Sequence, residues 1–171
     1  MAETQTIARP SILWKQLSTD QRRMAAEAFW KDESGKNEQT EAIAAISQRF
    51  KIRTKSVVVM PVAKKIKYLL ELFGIPEAVA ARLLMSHHIE YRRPMMAAFL
   101  DSLGVPHDSG MIPEDTEIPK EPEKLRSAVS AIAASFPPED VALYLSTLTW
   151  QDPETWSALA EFPEAHIPGK W

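Results

Sequence analysis

Arg49, Lys51, Arg53, Lys55, Lys64, Lys65 and Lys67 fall within residues 49–67 with no carboxylate among them. A cluster of that kind can neutralise phosphates and release their counterions. It is the sharpest chemical signal in the chain. A second group is made of metal-ligating types, His87, His88 and Glu90, followed by Asp101, His107 and Asp108. Imidazoles and carboxylates brought together can hold zinc or another divalent ion. The spacing is not that of a known metal motif, because adjacent histidines on a helix point about 100° apart and no HExxH arrangement is present. His87 continues an apolar face through Ala80, Leu83 and Leu84, which suits a hydrogen-bonded histidine near a helix end. Catalytic signatures are lacking. The chain has no cysteine and only five glycines, and it carries no GxSxG elbow and neither of the glycine-rich phosphate loops. Glu114 and Asp115 lie in a polar stretch with nothing to bury them for general acid work. No catalytic residue and no cofactor are assigned, and the balance leans away from an enzyme.

Around the basic cluster, Ile46, Ser47, Phe50, Ile52 and Val57 resemble the helix, turn and helix spacing of DNA readers. Three features oppose that reading. Lys51 stands in the turn where glycine is common, Pro61 interrupts the second helix, and Val58 and Val59 would point apolar groups toward a groove that rewards polar contacts. The charge is also unevenly spread: residues 1–67 hold 13 Lys and Arg against 7 acids, and residues 68–171 hold 7 against 16. Such a split can mark an anion-binding face at one end, and can equally stabilise packing between the halves or do nothing.

The elements that must position these residues read as helices. Ser18-Thr19-Asp20-Gln21 is a capping box, followed by a helix from about 19 to 31. Ile43, Ile46 and Phe50 mark an apolar face of a second. Val62, Ile66, Leu69, Leu70 and Phe73 predict a third, closed by Gly74. Pro76 opens a fourth with Val79, Ala80, Leu83, Leu84 and His87 on one face. Pro94 opens another, with Met95, Met96, Phe99, Leu100 and Leu103 buried and Gly104 as its stop. After residue 122 the helix, proline step and helix recur, and setting Pro76 against Pro138 pairs Val79 with Val141, Ala80 with Ala142 and Leu83 with Leu145. Pro153 opens a last helix carrying Trp156, Leu159 and Phe162. An internal duplication and a chance match of helical hairpins both account for this. Between Gly104 and Pro122, three further prolines and five acids predict a long loop or linker.

These patterns predict an all-α protein of about seven helices, a bundle or short array of helical hairpins. It divides into an N-terminal helical unit (1–104), an acidic proline-rich loop or linker (105–122) and a C-terminal helical unit (123–171), unless all three form one compact domain. With 45% hydrophobic and 25% charged residues over 171 positions, the chain can bury a real core. It has no apolar run of the roughly 18 residues a membrane span needs, and no basic, apolar leader at its start. A cytoplasmic protein with no membrane partner is expected. The first functional expectation is a protein–protein interaction or structural module, with Met and Trp side chains lining a groove for a partner or for self-association. Trp171, at the end, can dock onto the body or a second subunit. The alternative is nucleic-acid binding through a basic helix-turn-helix-like segment, 43–67. A second alternative is a metal or small-molecule site around His87, His88 and His107, with Glu90 and Asp108.

Overall fold

The computed structural model describes residues 7–166, so Trp171 and the first residues lie outside it. The fold is all-α: ten α-helices and three 3₁₀ turns, with no strand among the described residues. Seven helices have nine residues or more, and the other three have seven, six and four. Helices that short span two turns or fewer, which leaves no repeating apolar pattern to read. By contact the chain separates into two compact units, Arg9–Glu90 and the combination of Met1–Ala8 with Tyr91–Trp171. Segment 105–122 belongs to the second unit, and the division falls at the end of one helix.

In the Arg9–Glu90 unit, α1 (Pro10–Gln16) starts on a proline that needs no amide partner there. α2 (Thr19–Lys31) begins at the capping box: the Gln21 amide donates to Ser18 Oγ at 3.1 Å, and the Ser18 amide donates to Gln21 Oε1 at 2.9 Å. α3 (Lys36–Phe50) buries Gln39, Ala42 and Ile46. The Gln39 amide nitrogen donates to the Phe29 and Asp32 carbonyls at 2.9 and 2.8 Å, satisfying oxygens that the end of α2 leaves without helical partners. α4 (Thr54–Val59) and α5 (Val62–Leu70) follow, and α5 packs on α2 while α3 packs on both α4 and α5. α6 (Glu77–Tyr91) is tied back at its first residue, where Ser11 donates its amide and hydroxyl to the Glu77 carboxylate.

α5 departs from its sequence pattern. It ends at Leu70, where the Glu71 amide is shared between the Lys67 and Tyr68 carbonyls in a tightened last turn. Of the five apolar residues assigned to its buried stripe only Leu69 is fully buried, and Phe73, thrown into the following bend, is 87% exposed.

At the turn after α2, Asp32 joins Ser34 and Arg82 of α6. Burial pushes its carboxyl up, but hydrogen bonds from the Ser34 hydroxyl and amide and the Arg82 guanidinium outweigh that and hold it below the ordinary aspartate value. Arg82 Nη2 sits 2.6 Å from Asp32 Oδ2 and also bonds the Ser34 hydroxyl. A lowered folded-state pKa contributes stability above the ordinary aspartate range and loses it as pH falls through the folded value. Asp32→Asn should therefore destabilise at neutral pH and narrow the gap between the neutral and acid urea midpoints. An unchanged gap would show that the contact does not titrate with folding.

In the other unit, α7 (Arg93–Leu103) packs on α8 (Pro122–Ser135), and Gly104 closes α7 at φ +72°. α9 (Pro138–Gln151) packs on α8, on α10 (Pro153–Trp156) and on the 3₁₀ turns Ser157–Glu161 and Pro163–Ala165 that continue it. The last predicted helix is thus one α-turn followed by 3₁₀ turns, yet Trp156 and Leu159 are buried as expected. The two proline steps differ in length: residues 71–76 join α5 to α6, and Phe136 and Pro137 alone join α8 to α9. All six residues paired across them are buried.

The acidic segment after α7 is held by specific bonds. His107 Nε2 lies 2.6 Å from Asp101 Oδ1, and the Gly110 amide donates to His107 Nδ1 at 3.0 Å. With Nδ1 accepting, Nε2 carries the proton that Asp101 receives. Asp108 and Met111 exchange backbone bonds of 2.8 and 2.9 Å, and Arg93 donates to the Ser109 carbonyl. In the same unit, Trp150 Nε1 donates to the Ala8 carbonyl at 2.6 Å.

Candidate anion-binding surface

The basic cluster is displayed by α3, α4 and α5. The C-terminus of α3 ends in a left-handed residue, Lys51 (φ 55°, ψ 42°). The amides of Lys51 and Ile52 both return to the Ser47 carbonyl, the closure that glycine usually makes because a side chain is strained there. Ser47 completes the turn by donating its hydroxyl to the Ile52 carbonyl at 2.6 Å. Val57 is fully buried and pegs α4 down. That leaves Lys51, Arg53 and Lys55 exposed along the turn and the short helix. Pro61 then breaks the chain, and its carbonyl accepts from the Lys64 and Lys65 amides to start α5. Lys64 and Lys67 are also exposed.

Two of the seven cations are engaged by rings. The Lys65 ammonium lies 5.3 Å from the Trp30 ring centre, and the Arg49 guanidinium lies 5.7 Å from that of Phe50. Phe50 in turn packs on Tyr68 at 4.8 Å. Among the described residues none of the seven makes an ion pair, and no carboxylate occurs anywhere in residues 42–70. The Arg9–Glu90 unit holds 14 Lys and Arg against 9 Asp and Glu, a net +5, whereas the remaining residues hold 6 against 14, a net −8.

Apolar groups share this surface. Val58, Val59 and Val62 are 50%, 81% and 41% exposed, and the intervening Met60 is partly exposed. Sequence reasoning treated Val62 as core, and its exposure follows from the Pro61 corner: residues at the junction of two short helices have few neighbours on the outer side. The neighbouring end of α3 contributes Ala45, Gln48 and Arg49 to a cleft of about 460 Å³ with Leu72, Phe73, Gly74 and Pro76.

Within the segment 43–67 the structure has a helix, a three-residue turn and a helix, as α3, residues 51–53 and α4. Lys51 adopts the turn conformation without being glycine, so that objection to the motif falls. The objection from Pro61 stands, since α4 has six residues and a length of about 9 Å. A helix that short offers little to a major groove, and its exposed end is valine.

The proposed metal residues are placed differently. His87 and His88 are both buried in α6, their rings edge to face at 5.4 Å. His88 Nδ1 is 2.7 Å from the Leu84 carbonyl, a bond that fixes the proton on Nδ1. Burial of His88 was not legible, because α6 is covered around most of its circumference, Ser86 included. Glu90 is exposed, His107 is bonded to Asp101, and Asp108 is an exposed loop residue. Among the described residues no three His, Asp or Glu side chains come together as a metal site would require. No protein-family model, curated protein or solved structure matches the chain.

Proposed function

We propose that this protein is a binding module whose Arg9–Glu90 unit takes a polyanionic partner through the surface of α3, α4 and α5. The observation that carries this is the run of cations over 49–67, which have no carboxylate to neutralise them. Exposed lysines and arginines are commonly balanced by acids three or four residues away on the same helix, and α2 shows that pattern in the Glu27 and Lys31 pair. Its absence across α4 and α5 leaves positive potential available to a ligand. Lys51 adds to the case. A non-glycine residue in the left-handed region costs about 1–2 kcal/mol, and strain retained at a surface turn is a pointer to function.

The test is binding to a short mixed-sequence DNA duplex, used as a polyanion, over a range of salt. Affinity should fall steeply with salt. Replacing Lys51, Arg53 and Lys55 together by alanine should reduce the slope of log affinity against log salt by about 2–3. Lys51→Gly should raise stability by up to about 1 kcal/mol while weakening binding. A variant that gains stability and binds as before would remove Lys51 from the site. Salt-insensitive or absent binding would retire the proposal. A protein segment is the second reading, favoured by the cleft beside Phe73, where a large apolar ring stands in water at the edge of a concavity.

A further inference from the structure

We infer that the polyanionic partner is the surface of an anionic lipid bilayer, with the Val58–Val62 corner entering the interface while the surrounding lysines contact headgroups. This inference rests on the anion-binding reading above and narrows it. No described helix is long and apolar enough to cross a membrane, and the association inferred here is peripheral and needs none.

An exposed apolar corner, residues 58–62, is flanked by cations on both sides. Single exposed apolar side chains are ordinary on a protein surface. Here Val58, Val59 and Val62 are exposed together at the junction of two helices, with Lys55 on one side and Lys64 on the other. A nucleic-acid groove would satisfy the cations and leave the valines against polar edges and phosphate. A second copy of the same corner would cover the valines and oppose cation to cation, which is unfavourable for a two-fold contact of this surface with itself. A bilayer interface satisfies both. Its headgroups carry negative charge, and the acyl boundary a few ångströms deeper accepts apolar groups. It also needs no concavity in the protein. Val59 is 81% exposed, and none of the residues that line the Phe73 cleft belongs to the corner. The valines thus stand on an exposed corner outside that cleft.

The experiment compares sedimentation with phosphatidylcholine vesicles, with the same vesicles containing phosphatidylserine, and binding to the DNA duplex used above. Partition onto the serine-containing vesicles alone is expected. Replacing Lys55, Lys64 and Lys67 by alanine should weaken it on the order of 100-fold. Val59→Asn, which removes the apolar group without adding charge, should weaken vesicle binding by roughly tenfold with duplex binding little changed. Because the chain has no cysteine, Val59→Cys allows a single environment-sensitive label. Its emission should shift to the blue on anionic vesicles, and a label on the exposed control Asn37→Cys should stay unchanged. Duplex binding without vesicle binding would overturn the lipid inference and leave the anion-binding reading intact. Vesicle binding that ignores Val59→Asn and leaves the label in water would overturn insertion of the corner. Equal partition onto neutral vesicles would overturn the role of charge, and failure to bind either probe would end both readings.

Discussion

Phe99→Ala should lower stability by about 3–5 kcal/mol, the range expected for removing a fully buried aromatic ring. Phe99 is fully buried on α7. Its ring meets Tyr144 of α9 edge to face at 5.7 Å and Trp156 of α10 at 5.8 Å. The Tyr144 pair, at 89° between planes, has the positive edge of one ring against the negative face of the other, while the Trp156 ring is tilted at 50°. Truncation removes a buried ring and leaves a cavity that three separate helices line, so no one of them can relax to fill it. Burial pushes the Tyr144 phenol up, so the ring that faces Phe99 stays neutral. Marginal domains have about 5–15 kcal/mol in hand, and Phe99→Ala therefore consumes much of the reserve. Urea midpoints of the single variants and of Phe99→Ala with Trp156→Ala measure it. The double variant should cost less than the two singles added together, since each removes the same contact. Strict additivity would mean that the two rings are not packed as described.

Phe99 was legible because it obeys simple periodicity, whereas Tyr144, buried beside it, falls outside the stripe of Val141, Ala142 and Leu145. Met95, Met96, Phe99, Leu100 and Leu103 recur at helical spacing, and all five are buried. Helix boundaries were legible where chemistry marks them: Ser18 and Gln21 at the start of α2, and Gly104 at the end of α7. Periodicity misled at α5. Its residues repeat as cleanly as those of α7, but the helix is nine residues long and lies beside a proline corner, so too few elements surround it to cover the whole stripe. Period identifies which residues share a face, and only tertiary packing decides whether that face is buried. The basic cluster was visible as composition, whereas its association with exposed valines depended on a burial that sequence cannot report. His88 illustrates the converse, a polar residue outside the apolar stripe that is nonetheless enclosed.

The acidic segment after Gly104 is the part where composition was least informative, and it supplies the second large effect. Proline, glycine and acids read as a flexible joint, yet one glycine pins the segment to α7. Gly110→Ala should cost about 2–4 kcal/mol. Gly110 sits at φ +89°, a backbone conformation that L side chains rarely adopt, and an added Cβ would lie 2.6 Å from the Cβ of Met96. The Ala97 nitrogen and the Arg93 carbonyl oxygen would each be 3.4 Å away, and both belong to the α7 backbone. Met96 is itself buried, and its Cβ is fixed to the helix, so no flexible chain end can swing aside. Relief must come from the loop, and moving it breaks the Gly110 amide bond to His107 Nδ1 and loosens the His107 contact with Asp101. Gly74→Ala is the natural control, because a Cβ there meets nothing within 4 Å and the backbone is not left-handed. It should be neutral or slightly stabilising. A Gly110→Ala protein that unfolds at the wild-type urea midpoint would show that the segment does not pack on α7, and would restore the flexible joint that its composition suggests.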